Sequence, residues 1–196
     1  MEVVVSKRNV VVGLVILTLA ACGDAGRRDT TPGGDTTGVA RDTTSAAGGN
    51  VTATLRDAAG KDLGTLTLTD SGESIALAGR LTGLPPGEHG IHLHTAGQCD
   101  APKFESAGDH WNPTNRKHGK DTPGGPHFGD LPNITVGQDG SVSVQATTSG
   151  GTLRDANAAL DRDGSAVVVH AKRDDYKTQP SGNSGDRIAC GVVVSG

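Results

Sequence analysis

Seven histidines occur in this chain of 196 residues, and most of them are gathered where chemistry could use them. His92 and His94 alternate with Ile91 and Leu93 in "IHLH". His110 and His118 follow in "DHWNPTNRKHG", and His127 stands three residues before Asp130 in "GPHFGD". His170 ends the apolar run "VVVH". Neutral imidazole nitrogen binds both zinc and copper, and a carboxylate among the donors favours zinc in the subset that contains it. The donors outnumber one tetrahedral set, so two metals are expected. No HExxH or GxSxG pattern accompanies them, and "GNSG" around Ser184 is not a nucleophile elbow, which argues against a hydrolase. The alternation in "IHLH" is that of a strand with its imidazoles outward and its aliphatic residues in the core. His89 shares the parity of Ile91 and Leu93, and is expected beneath the site as a structural histidine.

The elements that must position these groups are short strands. Period-two alternation recurs at 51–55, 63–69, 74–81, 90–94, 133–136, 141–146, 165–171 and 189–194. Turn sequences such as "DAAGKD", "TDSGE", "LPPGE" and "DRDG" separate them. Eight such strands predict a closed or nearly closed antiparallel barrel or sandwich, and no segment reads as a long amphipathic helix. The aromatic residues Phe104, Trp111, Phe128 and Tyr176 all fall between the strands. Two connections, 95–132 and 172–187, are too long for hairpins, and long loops in compact domains usually carry function or disorder. Their histidines argue for function.

The start of the chain is a targeting segment. Lys7 and Arg8 precede an apolar run from Val10 to Ala21 that is too short to span a bilayer well, and it ends "LAAC". That ending resembles the lipobox of bacterial lipoproteins, which implies residues 1–21 as signal peptide and a lipidated Cys22. Gly23 after the cysteine resembles the pattern of default sorting to the outer membrane. Residues 22–49 then form a Gly/Thr/Asp-rich tether with "DTT" repeated at Asp29, Asp35 and Asp42. It has little to bury, and as a coil its ends would lie roughly 30 Å apart. Cys99 and Cys190 remain as an even pair in an exported setting, so a disulfide is the default expectation. A net charge of −4 argues against a nucleic-acid partner.

Residues 50–196 resemble a known family, the bacterial form of copper–zinc superoxide dismutase. The resemblance rests on "HGIHLH", "SAGDHWNPTNRKHG", "GPHFGDLPN", "VVVHAKRDDY" and "SGNSGDRIACGV", in that order and at the family's spacing. It implies an all-β, eight-stranded antiparallel Greek-key barrel or sandwich, immunoglobulin-like, with two long functional loops. It implies copper on His92, His94, His110 and His170, and zinc on His110, His118, His127 and Asp130, with His110 bridging. It also implies the disulfide Cys99–Cys190. Asp174 matches an aspartate that links a copper histidine to a zinc histidine, and Arg187 matches an arginine that guides the anion.

The implied activity is dismutation of superoxide to oxygen and hydrogen peroxide, protecting the cell envelope. Copper carries the electrons, and His110 supplies a proton to the departing peroxide. Catalysis would rest on His92, His94, His110, His170 and Arg187. Lys117, Lys120, Lys172, Arg173 and Lys177 are candidates for a positive funnel. Asp186 departs from the small neutral residue that usually precedes the arginine. The implied partners are superoxide, a membrane reached through the lipid anchor, and a copper chaperone. Monomer and homodimer both stay open. The competing reading is a tethered copper or zinc carrier without dismutase activity, which would need neither Arg187 nor a complete bridging set. The sequons at Asn50 and Asn133 are read as chance.

Overall fold

A computed structural model describes residues 50–155 and 158–196; the expected signal peptide (1–21), Cys22 and the expected tether lie outside the described residues. Nine strands follow one another: β1 (Val51–Asp57), β2 (Asp62–Ser71), β3 (Ser74–Thr82), β4 (Gly87–His89), β5 (Ile91–His94), β6 (Ile134–Val136), β7 (Ser141–Thr147), β8 (Ala166–His170) and β9 (Arg187–Ser195). The strands form where apolar and polar residues alternate, because a strand shows successive side chains to opposite faces. In β1, Val51, Ala53 and Leu55 are buried, while Thr54 and Arg56 are exposed. Tight turns join the first strands. Between β1 and β2, Asp57 Oδ1 accepts from the Ala59 and Lys61 amides (2.9 and 3.0 Å), and Gly60 takes φ +81°.

Seven strands make one antiparallel sheet in the order β5-β8-β9-β1-β2-β3-β7, curled into a half-barrel. A second, two-stranded sheet pairs β4 with β6. The strand expected over 90–94 is longer and divided. It changes sheet at Gly90, whose amide donates to the Lys172 carbonyl and whose carbonyl accepts from the His170 amide (both 2.8 Å). β4 leads into β5, and a turn at Gly137–Ser141 leads from β6 into β7, so the small sheet bridges the two edges of the large one. Inward residues of both sheets share one core, which includes Leu55, Leu66, Ile75, Leu81, Ile91, Leu93, Ile134, Val144, Val167 and Val169.

A smaller apolar cluster lies on the other face of β8 and β9. Phe104 and Ala107 of the first long loop pack there on Ala166, Val168 and Cys190. The Cys99–Cys190 disulfide, with its Cα atoms 5.7 Å apart, ties that loop to β9 across 91 positions. In the loop-entropy picture such a closure contributes roughly 4–5 kcal/mol. A register shift in β8 between Val169 and His170 sets His170 opposite Arg187 on β9, as bulges do when they re-aim a side chain.

Ser165 immediately precedes β8 with 0% exposure, and its Oγ has no hydrogen-bond partner among the described residues. A buried hydroxyl without a partner costs about 1–3 kcal/mol. Ser165→Ala is therefore expected to raise the stability of the oxidised protein by about 1 kcal/mol, measured by denaturant unfolding. A loss of stability would mean that the hydroxyl is satisfied in solution.

Candidate metal centre

β5 is an edge strand of the large sheet, and its free edge is covered by the first long loop rather than by another strand. Trp111 donates to the Leu93 carbonyl (2.8 Å), Leu93 donates to the Gly129 carbonyl (2.9 Å), and Gly129 donates to the Trp111 carbonyl (2.8 Å). These bonds set His94 opposite His110 and His92 opposite Asp130. Gly129 has to be glycine, because a Cβ there would collide with the Leu93 carbonyl oxygen. Unpaired strand edges need cover, and here the cover carries donors. Trp111 and Phe128 brace the loop from inside, their rings edge to face at 5.6 Å.

Two groups of four donors result, one on His92, His94, His110 and His170, the other on His110, His118, His127 and Asp130. Within each, the donor atoms lie within 4.8 Å of one another, and all seven residues are buried. His110 belongs to both. His89 belongs to neither; its ring is held between the His170 and Pro85 carbonyls (2.8 and 2.9 Å) beneath the site.

In the first group every ring has one nitrogen engaged and one free. His94 Nδ1 donates to the Gly108 carbonyl (2.9 Å) and His170 Nδ1 to the Gly185 carbonyl (3.1 Å). His92 Nε2 donates to Asp174 Oδ2 (2.8 Å), and His110 Nδ1 meets Asp130 Oδ1 (2.9 Å). The other nitrogens, His92 Nδ1, His94 Nε2, His110 Nε2 and His170 Nε2, are buried without a partner. Leaving four such atoms unsatisfied would cost about 1–3 kcal/mol each. One cation among them satisfies all four, so the group fits a metal. Burial, aided by the neighbouring imidazoles, holds His92 and His94 well below the usual histidine range. Burial likewise lowers His110, and pushes His170 down to about 4. The rings are therefore neutral near pH 7, the form that binds a metal.

The second group closes around one carboxylate oxygen. Asp130 Oδ1 faces Nδ1 of His110, His118 and His127 at 2.9, 3.0 and 3.2 Å. These separations are close to the edge of a tetrahedron with metal–nitrogen bonds of 2.0–2.1 Å, about 3.3 Å. Asp130 Oδ2 accepts the Gly119 and His127 amides (2.8 and 3.0 Å). Burial opposes the charge on Asp130, but these bonds outweigh it and hold the carboxyl far below the usual carboxylate range. Burial also opposes a charge on His118, yet its bonds to Asp130 and Asp174 raise it to about 9. Binding of a metal by this group must displace that proton.

Asp174 joins the two groups. Its Oδ2 takes His92 Nε2 and its Oδ1 takes His118 Nε2 (2.8 and 3.0 Å) with the carboxylate fully buried. Asn133 clamps the Asp174 peptide from both sides, accepting its amide at 2.8 Å and donating to its carbonyl at 2.9 Å. The amide of that sequon is thus engaged inside the protein. Gly182, at φ +66°, lies so close that a Cβ would collide with Asp174 Oδ1 and His118 Nε2. Asn133 and Gly182 stand in the quoted motifs, but only the folded loops reveal what they touch.

Arg187 is half-buried. It donates to the Phe104 and Gly108 carbonyls (both 2.7 Å) and lines a cavity of about 500 Å³ with His94, His110 and His170. Burial lowers its pKa, with Asp109 and Glu105 acting against that shift. None of Lys117, Lys120, Lys172, Arg173 and Lys177 lines this cavity. Lys120 lies over the Tyr176 ring at 4.5 Å, and Arg173 turns to Glu88 at 3.6 Å. Asp186 lies with Lys103 and Glu105 along an outer groove that shares Gly185 and Arg187 with the cavity.

Residues 63–193 match the family described as "Copper/zinc superoxide dismutase (SODC)". The chain is 42% identical over 137 residues to superoxide dismutase [Cu-Zn] 1 of Aquifex aeolicus, covering 68% of this chain and 81% of that one. It is 41% identical over 148 residues to superoxide dismutase [Cu-Zn] of Caulobacter vibrioides, covering 74% and 85%. A crystal structure of a superoxide dismutase-like protein from Bacillus subtilis superposes with a TM-score of 0.69 at 39% identity, covering 73% of this chain and 97% of that one.

The close approach at Gly182 makes it a sensitive position. Gly182→Ala would add about 1–2 kcal/mol of backbone strain and force Asp174 away from His118. The expected result is a 10- to 100-fold loss of divalent-metal affinity in the second group, measured by titration of the metal-free protein with zinc. Unchanged affinity would show that Asp174 does not need its observed position.

Proposed function

The chain belongs to the copper/zinc superoxide dismutase family and converts two superoxide anions and two protons to oxygen and hydrogen peroxide, and we propose that it does so at the paired donor groups. Copper is assigned to His92, His94, His110 and His170, and zinc to His110, His118, His127 and Asp130. One observation carries the assignment: four buried nitrogens lack partners and face one another, while the second nitrogen of each ring is already bonded. The all-imidazole group suits a metal that changes oxidation state, and the group with a carboxylate suits zinc. Bound copper supplies the one-electron chemistry.

The chain's own residues supply the rest. Arg187 uses two N–H groups on the Phe104 and Gly108 carbonyls, and its remaining N–H groups are available to an oxyanion in the cavity. His110 lines the same cavity, and its partnerless Nε2 can hold the proton that the product needs, while Asp130 keeps the ring aligned through Nδ1. Asp174 fixes the proton of His92 and His118 on Nε2 and leaves Nδ1 of both towards the metals. The carrier reading has less support, because metal storage needs neither the arginine at the cavity nor a shared imidazole.

The cellular setting is part of the proposal. Cys22 carries the lipid, residues 23–49 are the tether, and residues 50–196 work on the periplasmic side of the bacterial envelope, anchored to the outer membrane. The "LAAC" motif and the low-complexity segment that follows it support this, as does the disulfide, which fits an oxidising compartment. Copper would come from an envelope chaperone.

The decisive experiment is superoxide dismutation by residues 23–196, oxidised and loaded with copper and zinc, beside His110→Ala. Fast dismutation is expected in the parent, with at least a hundredfold loss in the variant. Two bound metals without dismutation would favour the carrier. Asp186 should act on the rate from outside the cavity. Asp186→Gly is expected to raise the rate about twofold at low salt, with the gain fading near physiological ionic strength. An unchanged low-salt rate would remove Asp186 from the steering field.

A further inference from the structure

The second long loop folds back onto the segment that carries His118. The two backbones meet at Gly119, where a Cβ would collide with the Tyr176 carbonyl, and Asp121 donates its amide to the same carbonyl (3.3 Å). Across this seam one side chain makes a paired contact with one residue. The His118 amide donates to Gln179 Oε1 (2.8 Å), and Gln179 Nε2 donates to the His118 carbonyl (3.0 Å) and to the Lys177 carbonyl (2.9 Å). The carboxamide thus stands in for a peptide group facing both sides of the His118 backbone, as in an antiparallel ladder.

The His118 ring is already held at both nitrogens, by Asp130 and by Asp174. Those bonds orient the ring but leave its backbone on a loop. Gln179 ties that backbone down from 61 positions away. We propose that Gln179 is a positioning residue for zinc: it sets where His118 Nδ1 stands, and so makes zinc retention depend on closure of the second loop. The inference rests on the zinc assignment above. By reciprocity, zinc bound to His118 favours the closed loop to the same degree. Asp174 lies in the same loop and holds His92 as well as His118, so the loop's position also bears on the neighbouring group.

Gln179 is exposed and touches no metal-binding atom of either group, so its replacement leaves the core intact. Outer partners of metal ligands typically contribute 10- to 100-fold in affinity, and competition with water places an exposed amide near the lower end. The test uses the copper- and zinc-loaded protein mixed with excess chromogenic chelator. Gln179→Leu keeps the size and removes every bond; Gln179→Glu keeps the acceptor but sets a carboxylate against two carbonyls. Zinc is expected to leave both variants about tenfold faster than the parent. Cobalt(II) placed in the zinc group should show an altered visible d–d spectrum in Gln179→Leu. Zinc release within twofold of the parent together with an unchanged cobalt spectrum would overturn the proposal. An Asp130→Ala control separates the premise from the inference: if it holds zinc as tightly as the parent, the zinc assignment itself fails, and the role of Gln179 with it.

Discussion

A neutral imidazole has one proton and two nitrogens, and the architecture of this site follows from where that proton goes. A carbonyl can only accept, so the Gly108 and Gly185 carbonyls require N–H at Nδ1 of His94 and His170 and leave Nε2 bare. The Asp174 carboxylate does the reverse for His92 and leaves its Nδ1 bare; on His118 it holds the Nε2 proton, so the proton that a metal displaces is the one on Nδ1. For His92, His94 and His170 the tautomer is thereby set by a bond on the far side, before any metal arrives. His110 alone is left with both nitrogens directed at donor groups. Its membership of both donor groups is thus a consequence of having no carbonyl or linking carboxylate of its own.

These far-side partners come from different parts of the chain, and the fold has to bring them in. Gly108 belongs to the first long loop, Gly185 and Asp174 to the second. The first loop is fixed three times: by the disulfide to β9, by the two bonds from Arg187, and by its pairing with the exposed edge of β5. A sheet edge that would otherwise invite aggregation becomes the seam on which the donors are mounted. The barrel supplies rigid histidines at 92, 94 and 170, while the loops supply the rest under constraint from the barrel. Sites built partly on strands hold their geometry better than sites built on loops alone.

The sequence made much of this legible, and the boundary of what it showed has a physical cause. Alternation in "IHLH" announced two outward imidazoles over a core of Ile91 and Leu93, because period two is a property of a single strand. The donor types were equally plain. The division of the strand at Gly90 was not, since it depends on which sheet each half joins. Nor were the tasks of Gly182, Gln179 and Asn133. Each acts through a contact between loops, and a contact across 41 or 61 positions leaves no local signature. The lysine funnel was illegible for a related reason. Proximity in sequence to a functional loop does not say which way a long side chain turns, and Lys120 and Arg173 turn to Tyr176 and Glu88.

The electrostatics then follow from scale. The full chain carries a net charge of −4, so at long range it repels the anion it consumes. Salt confines that repulsion: at physiological ionic strength the screening length is about 8 Å. Inside the cavity less water screens, and there the guanidinium of Arg187 stands beside the imidazoles. Asp109 and Glu105 stabilise the charge of Arg187 against its burial, but they also weaken the field that it presents outward. On the proposed role of Arg187, attraction of superoxide is therefore a local property of one arginine held by two carbonyls, and the acidic groups around it set how far that attraction reaches.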